Sequence, residues 1–295
     1  MKRKLSILIC CIMLFTAICG GCSNPNASVS KSGFYFDTII KITLYGTNSD
    51  QYIDDCFELA HKYENLFSNT IDSSEVSQIN SNAGSGSYVT ISDETLELIK
   101  EGIHYGDISN GAFDITIGKL SDLWDFSDIA ENLTSEDNEA DASVLPSDAD
   151  IQSDLAHVNY KNIVIDGNQV MLTDPDSELD LGGIAKGYIA DRMKEYLNSK
   201  GITSGIINLG GNVLTIGEKS TGAAYKVGIQ KPFAKDGTSI ATVDVKDKSV
   251  VSSGVYERYY KIDGKLYHHI LDPKTGYPCD NNLYEVTIAD DRYFI

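Results

Sequence analysis

The residues able to do chemistry fall in four short stretches, each where a strand or helix is expected to end. One is Asp180-Leu-Gly-Gly-Ile-Ala-Lys-Gly-Tyr188, in which an acidic residue and a glycine pair run straight into a helix. Such a pair lets backbone approach a ligand closely, and the unpaired N–H groups of a helix start favour an anion. Lys186 falls in the first turn, where a cation fits the helix dipole poorly, and a bound phosphate or carboxylate would remove that mismatch. The other three are Gly111-Ala-Phe-Asp114-Ile-Thr116-Ile-Gly118, Asn208-Leu-Gly-Gly-Asn212 and His268-His269-Ile-Leu-Asp272-Pro-Lys-Thr-Gly-Tyr-Pro278. Each also has a purely structural reading. Asp114 can satisfy a loop, and the asparagines can flank a glycine turn. Asp272-Pro-Lys-Thr-Gly is a good turn sequence whatever it does, and a histidine at a strand end is commonly structural. His61, His104 and His157 lie on expected helices and read as structural.

The elements that must position these residues follow from periodicity. Ala185, Ile189, Met193, Tyr196 and Leu197 share one face of the helix after the glycine pair, and Gly201 closes it. Phe34 to Tyr45 reads as one strand. Asn48 and Ser49 are expected to cap a helix running to about Leu66, and Ser92 caps another that ends near Asn110-Gly111. Residues 127–154 are acidic with little periodicity and read as a surface insertion, partly disordered, although Pro146-Ser147 could start a helix reaching His157. Lys161 to Leu172 is a hairpin turning at Gly167-Asn168. Short strands follow at 205–209, 213–216, 225–230, 240–245, 249–252 and 256–262. The last pairs across Asp263-Gly264 with 265–271, and Val286 opens another. The class is α+β, a mostly antiparallel sheet core with flanking helices.

Composition excludes several functions. A formal charge of -19 argues against nucleic-acid binding. It leaves a phosphate ligand open, since a few donors or a divalent metal can neutralise one locally. No nucleophile elbow, Walker loop, His-Glu-x-x-His or dinucleotide fingerprint is present, so a dehydrogenase reading has no support. Lys2-Arg3-Lys4 and the apolar run Leu5 to Ile18 form a targeting segment too short for an ordinary membrane span. Cys19-Gly-Gly-Cys22 then resembles a bacterial lipobox, with cleavage before Cys22 and acylation of its sulfur; an ordinary secretory signal is the alternative. On this reading residues 1–21 are a signal peptide, 22–32 a polar tether and 33–295 the folded domain. With Cys22 acylated, only Cys56 and Cys279 could pair. No cysteine pattern has zinc-site spacing.

Together and in this order, the four stretches resemble the FAD:protein FMN transferases, the ApbE-type flavin transferases. Phe36-Asp37-Thr38, Phe67-Ser68 and Ser74-Glu-Val-Ser-Gln-Ile-Asn80 fit as well, so the resemblance runs from about Gly33 to the end. It implies an ApbE-like fold and transfer of the FMN half of FAD to a threonine or serine hydroxyl of a partner protein, releasing AMP. It implies His269 as the base, Mg²⁺ held partly by the Gly183 carbonyl, and FAD contacts from Asp180 and Lys186. Phe36, Ala112, Phe113, Asp114 and Leu271 would line the FAD pocket, with Thr70 a further contact. The implied partners are FAD and an acceptor flavoprotein or membrane redox-complex subunit. The implied location is the extracytoplasmic face of a bacterial membrane, with a lipid anchor at Cys22. The family pattern continues beyond the strand at Val286 into a helix with further metal ligands, places that Asp290 and Asp291 do not fill. The domain therefore reads as incomplete at its C-terminus. An FAD pyrophosphatase giving FMN and AMP, or a flavin-binding lipoprotein without turnover, are the alternatives.

Overall fold

The computed structural model describes residues 27–133, 138–234 and 237–291. The signal peptide and Cys22 lie outside the described residues. No helix among the described residues is long and apolar enough to cross a bilayer.

The chain begins with a hairpin, β1 (Ser28–Tyr35) and β2 (Thr38–Tyr45), rather than one strand. Phe36 and Asp37 make the turn with φ of 54° and 51°. Two left-handed residues in a row form the turn whose twist suits a hairpin. Ser28 to Ser32, expected to belong to a polar tether, pair with Lys41 to Tyr45 and so belong to the sheet. Alternation then decides the faces. Ile40, Ile42 and Leu44 are fully buried, while Ile39 and Lys41 point the other way and are exposed.

Helix α1 (Gln51–Phe67) starts after Asp50, not at Asn48 or Ser49, and its buried stripe is Ile53, Cys56, Ala60, Tyr63 and Phe67. Short α2 (Glu75–Ser81) is capped by Ser74, and α3 (Asp93–Ile108) by Ser92. The acidic insertion is largely ordered. It contains α5 (Phe126–Asn132), which follows α4 (Gly118–Trp124), and then α6 (Asp148–Leu155), capped by Ser147. Only residues 134–137 of it lie outside the described set. Strands β3 (Val89–Thr90), β4 (Ile163–Asp166) and β5 (Gln169–Leu172) form a small separate sheet, with the expected turn at Gly167.

Helix α7 (Gly182–Ser199) is the central helix. It buries Ile184, Ala185, Gly187, Tyr188, Ile189, Ala190, Met193 and Leu197, more than a single stripe, because protein surrounds its first turns on most sides. Gly201 ends it at φ 80°. After it come β6 (Ser204–Leu209), β7 (Asn212–Gly217), β8 (Tyr225–Gln230), β9 (Ser239–Val245), β10 (Ser249–Gly254), β11 (Tyr259–Ile262), β12 (Lys265–His268) and β13 (Glu285–Asp290). Six strands make one antiparallel sheet in the order β1-β2-β6-β7-β10-β13. The expected α+β class is the class observed.

Three apolar clusters hold these parts. The largest is aliphatic and joins the sheet to α1, α3 and α7 through Ile42, Ile53, Ile99, Ile189 and Leu214. The β8–β9 hairpin covers part of the opposite sheet face with Tyr225, Val227 and Val245. A third cluster, half of its buried members aromatic, sits under the β11–β12 hairpin and contains Leu120, Trp124, Phe126, Ile151, Tyr260 and Ile262. The two cysteines within the described residues, Cys56 and Cys279, are both free, so the pairing allowed by the sequence is not made.

Candidate active site

The start of α7 is fixed from three sides. Asn80 on α2 clamps Leu179 both ways: its amide donates to the Leu179 carbonyl at 3.0 Å, and its side-chain oxygen accepts the Leu179 N–H at 2.8 Å. The Asp180 N–H donates to the Ile115 carbonyl at 2.8 Å, and the Gly118 N–H to the Glu178 carbonyl at 3.0 Å. Asp180 Oδ1 accepts the Gly182 N–H at 2.7 Å, so its carboxylate turns the chain into the helix. Gly182 and Gly183 are exposed at that point. A Cβ on Gly183 would stand 3.1 Å from the Phe113 ring, so a glycine keeps this backbone open. Phe113 lies edge-on to Tyr105, with ring centres 6.0 Å apart. With Ile108, Ser109, Gly183 and Ile184 they line a cavity of about 340 Å³, mostly apolar and suited to a flat ring.

Asp114 lies beside this cavity but faces inward. One of its oxygens accepts the Thr116 N–H at 2.8 Å and the Thr116 hydroxyl at 2.6 Å; the other accepts the Tyr160 N–H at 2.9 Å. Those bonds hold the loop that presents Phe113 and the exposed Ala112. Phe36, at the β1–β2 turn, packs against the large core and donates its N–H to Glu64 at 2.7 Å. Thr70 is exposed in the loop after α1 and bonds Ser68.

The two adjacent histidines differ. His268 is buried, and both ring nitrogens are engaged: Nε2–H donates to the Cys279 carbonyl at 3.0 Å, and Nδ1 accepts the Ile270 N–H at 3.3 Å. Among the described residues His269 bonds only on one side. Its N–H and its Nδ1 both meet the Arg258 carbonyl, at 3.1 and 3.2 Å. A carbonyl can only accept, so Nδ1 carries the proton and Nε2 keeps its lone pair. Burial, joined by the charges of Arg258, His268 and Lys186, pushes His269 down to about 4. It is therefore a neutral imidazole near pH 7, able to take a proton. Lys186 is also pushed down, first by burial and then by the Arg258 charge, with Asp180 and Glu257 opposing.

What holds His269 in place is the aromatic cluster. Trp124 Nε1–H donates to the Gly276 carbonyl at 2.8 Å. Gly276 has φ 78°, and a Cβ there would meet Ile151 at 2.7 Å. Asp272 turns the loop as its sequence suggests: its carbonyl accepts the Gly276 N–H at 2.8 Å, and its side chain accepts the Lys274 N–H at 2.9 Å. Leu271 bridges to Pro278 and packs on the same cluster. Asn208 and Asn212 bond turn and strand N–H groups, Gly211 and Ser252, at 2.8 Å each.

A model of the ApbE family matches residues 36–294. The chain belongs to the ApbE family. An FAD:protein FMN transferase of Klebsiella pneumoniae is 37% identical over 267 residues, which cover 90% of this chain and 78% of that protein. One of Vibrio cholerae is 29% identical, covering 92% of this chain and 79% of that one. Among solved structures, the ApbE protein of Thermotoga maritima superposes with a TM-score of 0.79 at 32% identity, covering 91% of this chain and 83% of the other. The flavin transferase ApbE of Vibrio cholerae gives 0.78 at 28%, covering 92% and 84%.

Within this ApbE fold, His269 and Lys186 are brought close enough for their charges to interact, and Lys186 likewise feels Asp180. Gly183 and Phe113 share the cavity, while Asp114 and Leu271 stand behind their loops. Two residues at the site carried no signal of their own in the sequence. Arg258 sits in an ordinary strand-end string, and its carbonyl function is invisible to side-chain reading. Asn80 is one polar residue of the string Ser74 to Asn80, and its clamp on Leu179 spans far-separated positions.

Proposed function

We propose that this protein transfers the FMN half of FAD to a threonine or serine hydroxyl of a partner protein and releases AMP. The observation that carries this reading is His269, whose protonated Nδ1 faces a carbonyl and whose Nε2 lone pair is left next to two cations. The acceptor hydroxyl oxygen attacks the phosphorus on the flavin side, and its proton passes to His269 Nε2. The bond from that phosphorus to the bridging oxygen breaks, and AMP leaves with that oxygen and its electron pair. Lys186, Asp180 and the Gly182-Gly183 backbone position the FAD. The cavity beside Phe113 receives one of its flat rings, with Phe36, Ala112, Asp114, Leu271 and Thr70 around or behind the pocket.

The carboxylates at the entrance to α7 supply oxygen donors that fit a divalent cation such as Mg²⁺. Burial pushes up the carboxyls of Asp122 and Glu178, and each also feels the negative charge of Asp180. An excess of close carboxylates with hard oxygen atoms is the donor chemistry Mg²⁺ prefers. The Gly183 carbonyl, with those carboxylates near it, would hold the ion, which would neutralise charge on the pyrophosphate. The leader and Cys22 support an extracytoplasmic, lipid-anchored location, with residues 1–21 removed and an acceptor among secreted flavoproteins or membrane redox-complex subunits.

The test is to incubate the protein with FAD, Mg²⁺ and a threonine-containing acceptor domain and weigh the acceptor. A mass gain of one FMN that disappears on chelating the metal is expected. An acceptor of unchanged mass would sink the transferase reading, and AMP appearing without any acceptor would favour a pyrophosphatase.

A further inference from the structure

His269 stands one residue before a tight hairpin. The Cys279 N–H donates to the Ile270 carbonyl at 2.9 Å, Leu271 bridges to Pro278, and the Asp272 N–H donates to the Tyr277 carbonyl at 2.9 Å. These rungs make Ile270 to Cys279 one unit, so a displacement of its tip, Asp272 to Tyr277, is passed along to His269.

That tip rests on α6. Asp148, Ile151 and Leu155 fall at i, i+3 and i+7, along one face of the helix. Ile151 is buried, and its Cγ2 lies 2.7 Å from where a Cβ on Gly276 would stand, with the Leu155 Cβ at 3.7 Å. One turn earlier, the Tyr277 hydroxyl donates to Asp148 Oδ1 at 2.5 Å. Asp148 is the first residue of α6, where the helix dipole favours a carboxylate. Ser147 caps the helix just ahead of it, its hydroxyl oxygen accepting the Asp150 N–H at 3.2 Å. The same insertion also holds β11. The Lys261 N–H donates to the Asn138 carbonyl and the Ala140 N–H to the Lys261 carbonyl, both at 2.8 Å. Tyr259, at the start of β11, pairs in register with His268 on β12. Both arms that lead to His269 are therefore gripped by residues 138–155.

We propose that α6 is the positioning element for the base of the transfer: Ile151 against Gly276, and Asp148 through the Tyr277 hydroxyl, set where His269 Nε2 stands. This rests on the transferase reading. It gives a part in the reaction to a stretch whose acidic, weakly periodic sequence reads only as a surface insertion. Asp148, Ile151 and Tyr277 are positioning residues, since they act on His269 through the loop. A general base must stand within hydrogen-bond reach of the proton it takes. A misplacement of about 1 Å, caused far from the chemistry, is enough to cost about 100-fold in rate. A buried isoleucine and a hydrogen bond on one helix face fix the loop from the side, where its own turn bonds cannot.

The experiment compares the wild-type full chain with Ile151→Ala, Tyr277→Phe, Asp148→Ala and Asp148→Asn, using FAD, Mg²⁺ and the acceptor domain. Leu214→Ala, which opens a cavity in the other core, is the control for lost stability alone. Ile151→Ala should lower kcat per folded molecule by about 10- to 100-fold, with equilibrium FAD affinity within about twofold of wild type. Tyr277→Phe and Asp148→Ala should each lose about fivefold, the order of one hydrogen bond, and together no more than either alone. Asp148→Asn keeps an acceptor oxygen and should lose less than Asp148→Ala. The ring-nitrogen NMR signals of His269, assigned against His269→Ala, read the placement directly. They should show the proton on Nδ1 in the wild type and a mixture of tautomers in Ile151→Ala, whose ring no longer faces the Arg258 carbonyl squarely. A merely structural isoleucine would lower the melting temperature and leave those signals unchanged in the folded protein. A kcat for Ile151→Ala within about twofold of wild type, an equal loss in Leu214→Ala, or unmoved His269 signals would overturn the inference. Should Ile151→Ala not fold, Tyr277→Phe and Asp148→Ala decide by the same readings. If the wild type itself made no AMP and labelled no acceptor, the transferase reading would fall, while the His269 signals would still decide whether α6 sets the ring.

Discussion

Beneath one face of the six-stranded sheet the core is filled largely by aliphatic side chains such as Ile42, Ile53, Ile207 and Leu214; beneath the His269 loop the rings of Trp124, Phe126 and Tyr260 make up half of it, beside Leu120, Ile151 and Ile262. The first core is large and joins elements through regular periodicity. The second is small and is held by stacked rings: Trp124 on Phe126 at 5.5 Å, Phe126 on Tyr260 at 5.2 Å and Tyr260 on Tyr267 at 5.8 Å. Each carries a different part of the site. The aliphatic core fixes α7, and so Gly183 and Lys186. The aromatic core fixes the loop with His269 and Leu271. Large flat rings give much burial and defined geometry from few residues, which suits a loop that must place one nitrogen. The two halves therefore respond differently to damage.

The largest effect belongs to His269→Ala. Transfer should fall by about 10²- to 10⁴-fold, the usual contribution of a positioned general base, with FAD binding retained. Equilibrium binding of FAD and the rate of acceptor labelling separate the two. Next is Trp124→Ala, which should cost about 3–5 kcal/mol of stability and lower kcat, while FAD affinity stays because the Phe113 cavity rests on the other core. Chemical denaturation alongside a flavin titration checks this, and an equal loss of FAD binding would mean the two cores are not separable. Leu214→Ala, fully buried in the aliphatic core, should cost about 2–5 kcal/mol with little change in kcat for the molecules still folded.

Glycine substitutions give a finer comparison. Gly276→Ala combines a left-handed φ of 78° with a Cβ 2.7 Å from Ile151, so it should cost about 1–3 kcal/mol and displace the His269 loop. Gly183→Ala meets only the Phe113 ring at 3.1 Å, on an exposed backbone. It should leave the melting temperature nearly unchanged and weaken FAD binding instead. The smallest effect is the pH response. His269 works as a base only when neutral and is held at about 4, so transfer should persist below the ordinary histidine range and decline as pH falls through about 4. Stability follows the same sign. The unfolded chain protonates both His268 and His269 before the folded one does, so folding stability should decrease as pH drops from about 6.5, the ordinary histidine value.

Much of the aliphatic half was legible in the sequence, and little of the aromatic half. The α7 helix, its glycine terminator, the Ser92 cap and the Gly167-Asn168 turn follow from local rules, and the structure has all of them; on the aromatic side the Ser147 cap follows in the same way. The β1–β2 turn was not legible, because Phe36 and Asp37 take left-handed conformations usually left to asparagine and glycine. Ser28 to Ser32 looked like a tether because the strand lies at the sheet edge and needs few apolar residues. The acidic insertion looked disordered because α5 and α6 each bury only one residue fully, Phe126 and Ile151, in a core whose other members come from residues 120, 124, 260 and 262. Asp114 carries a bonding role the motif could not reveal, since its Tyr160 partner is far along the chain. No side-chain pattern announces a carbonyl such as that of Arg258.

The most direct test of the whole account is stoichiometric. AMP released and FMN bound covalently to the acceptor would be counted in the same reaction, with wild type and His269→Ala in parallel. The account predicts one AMP for each acceptor-bound FMN in the wild type and neither product above background in the variant. AMP in excess of bound FMN, or undiminished labelling by His269→Ala, would contradict it.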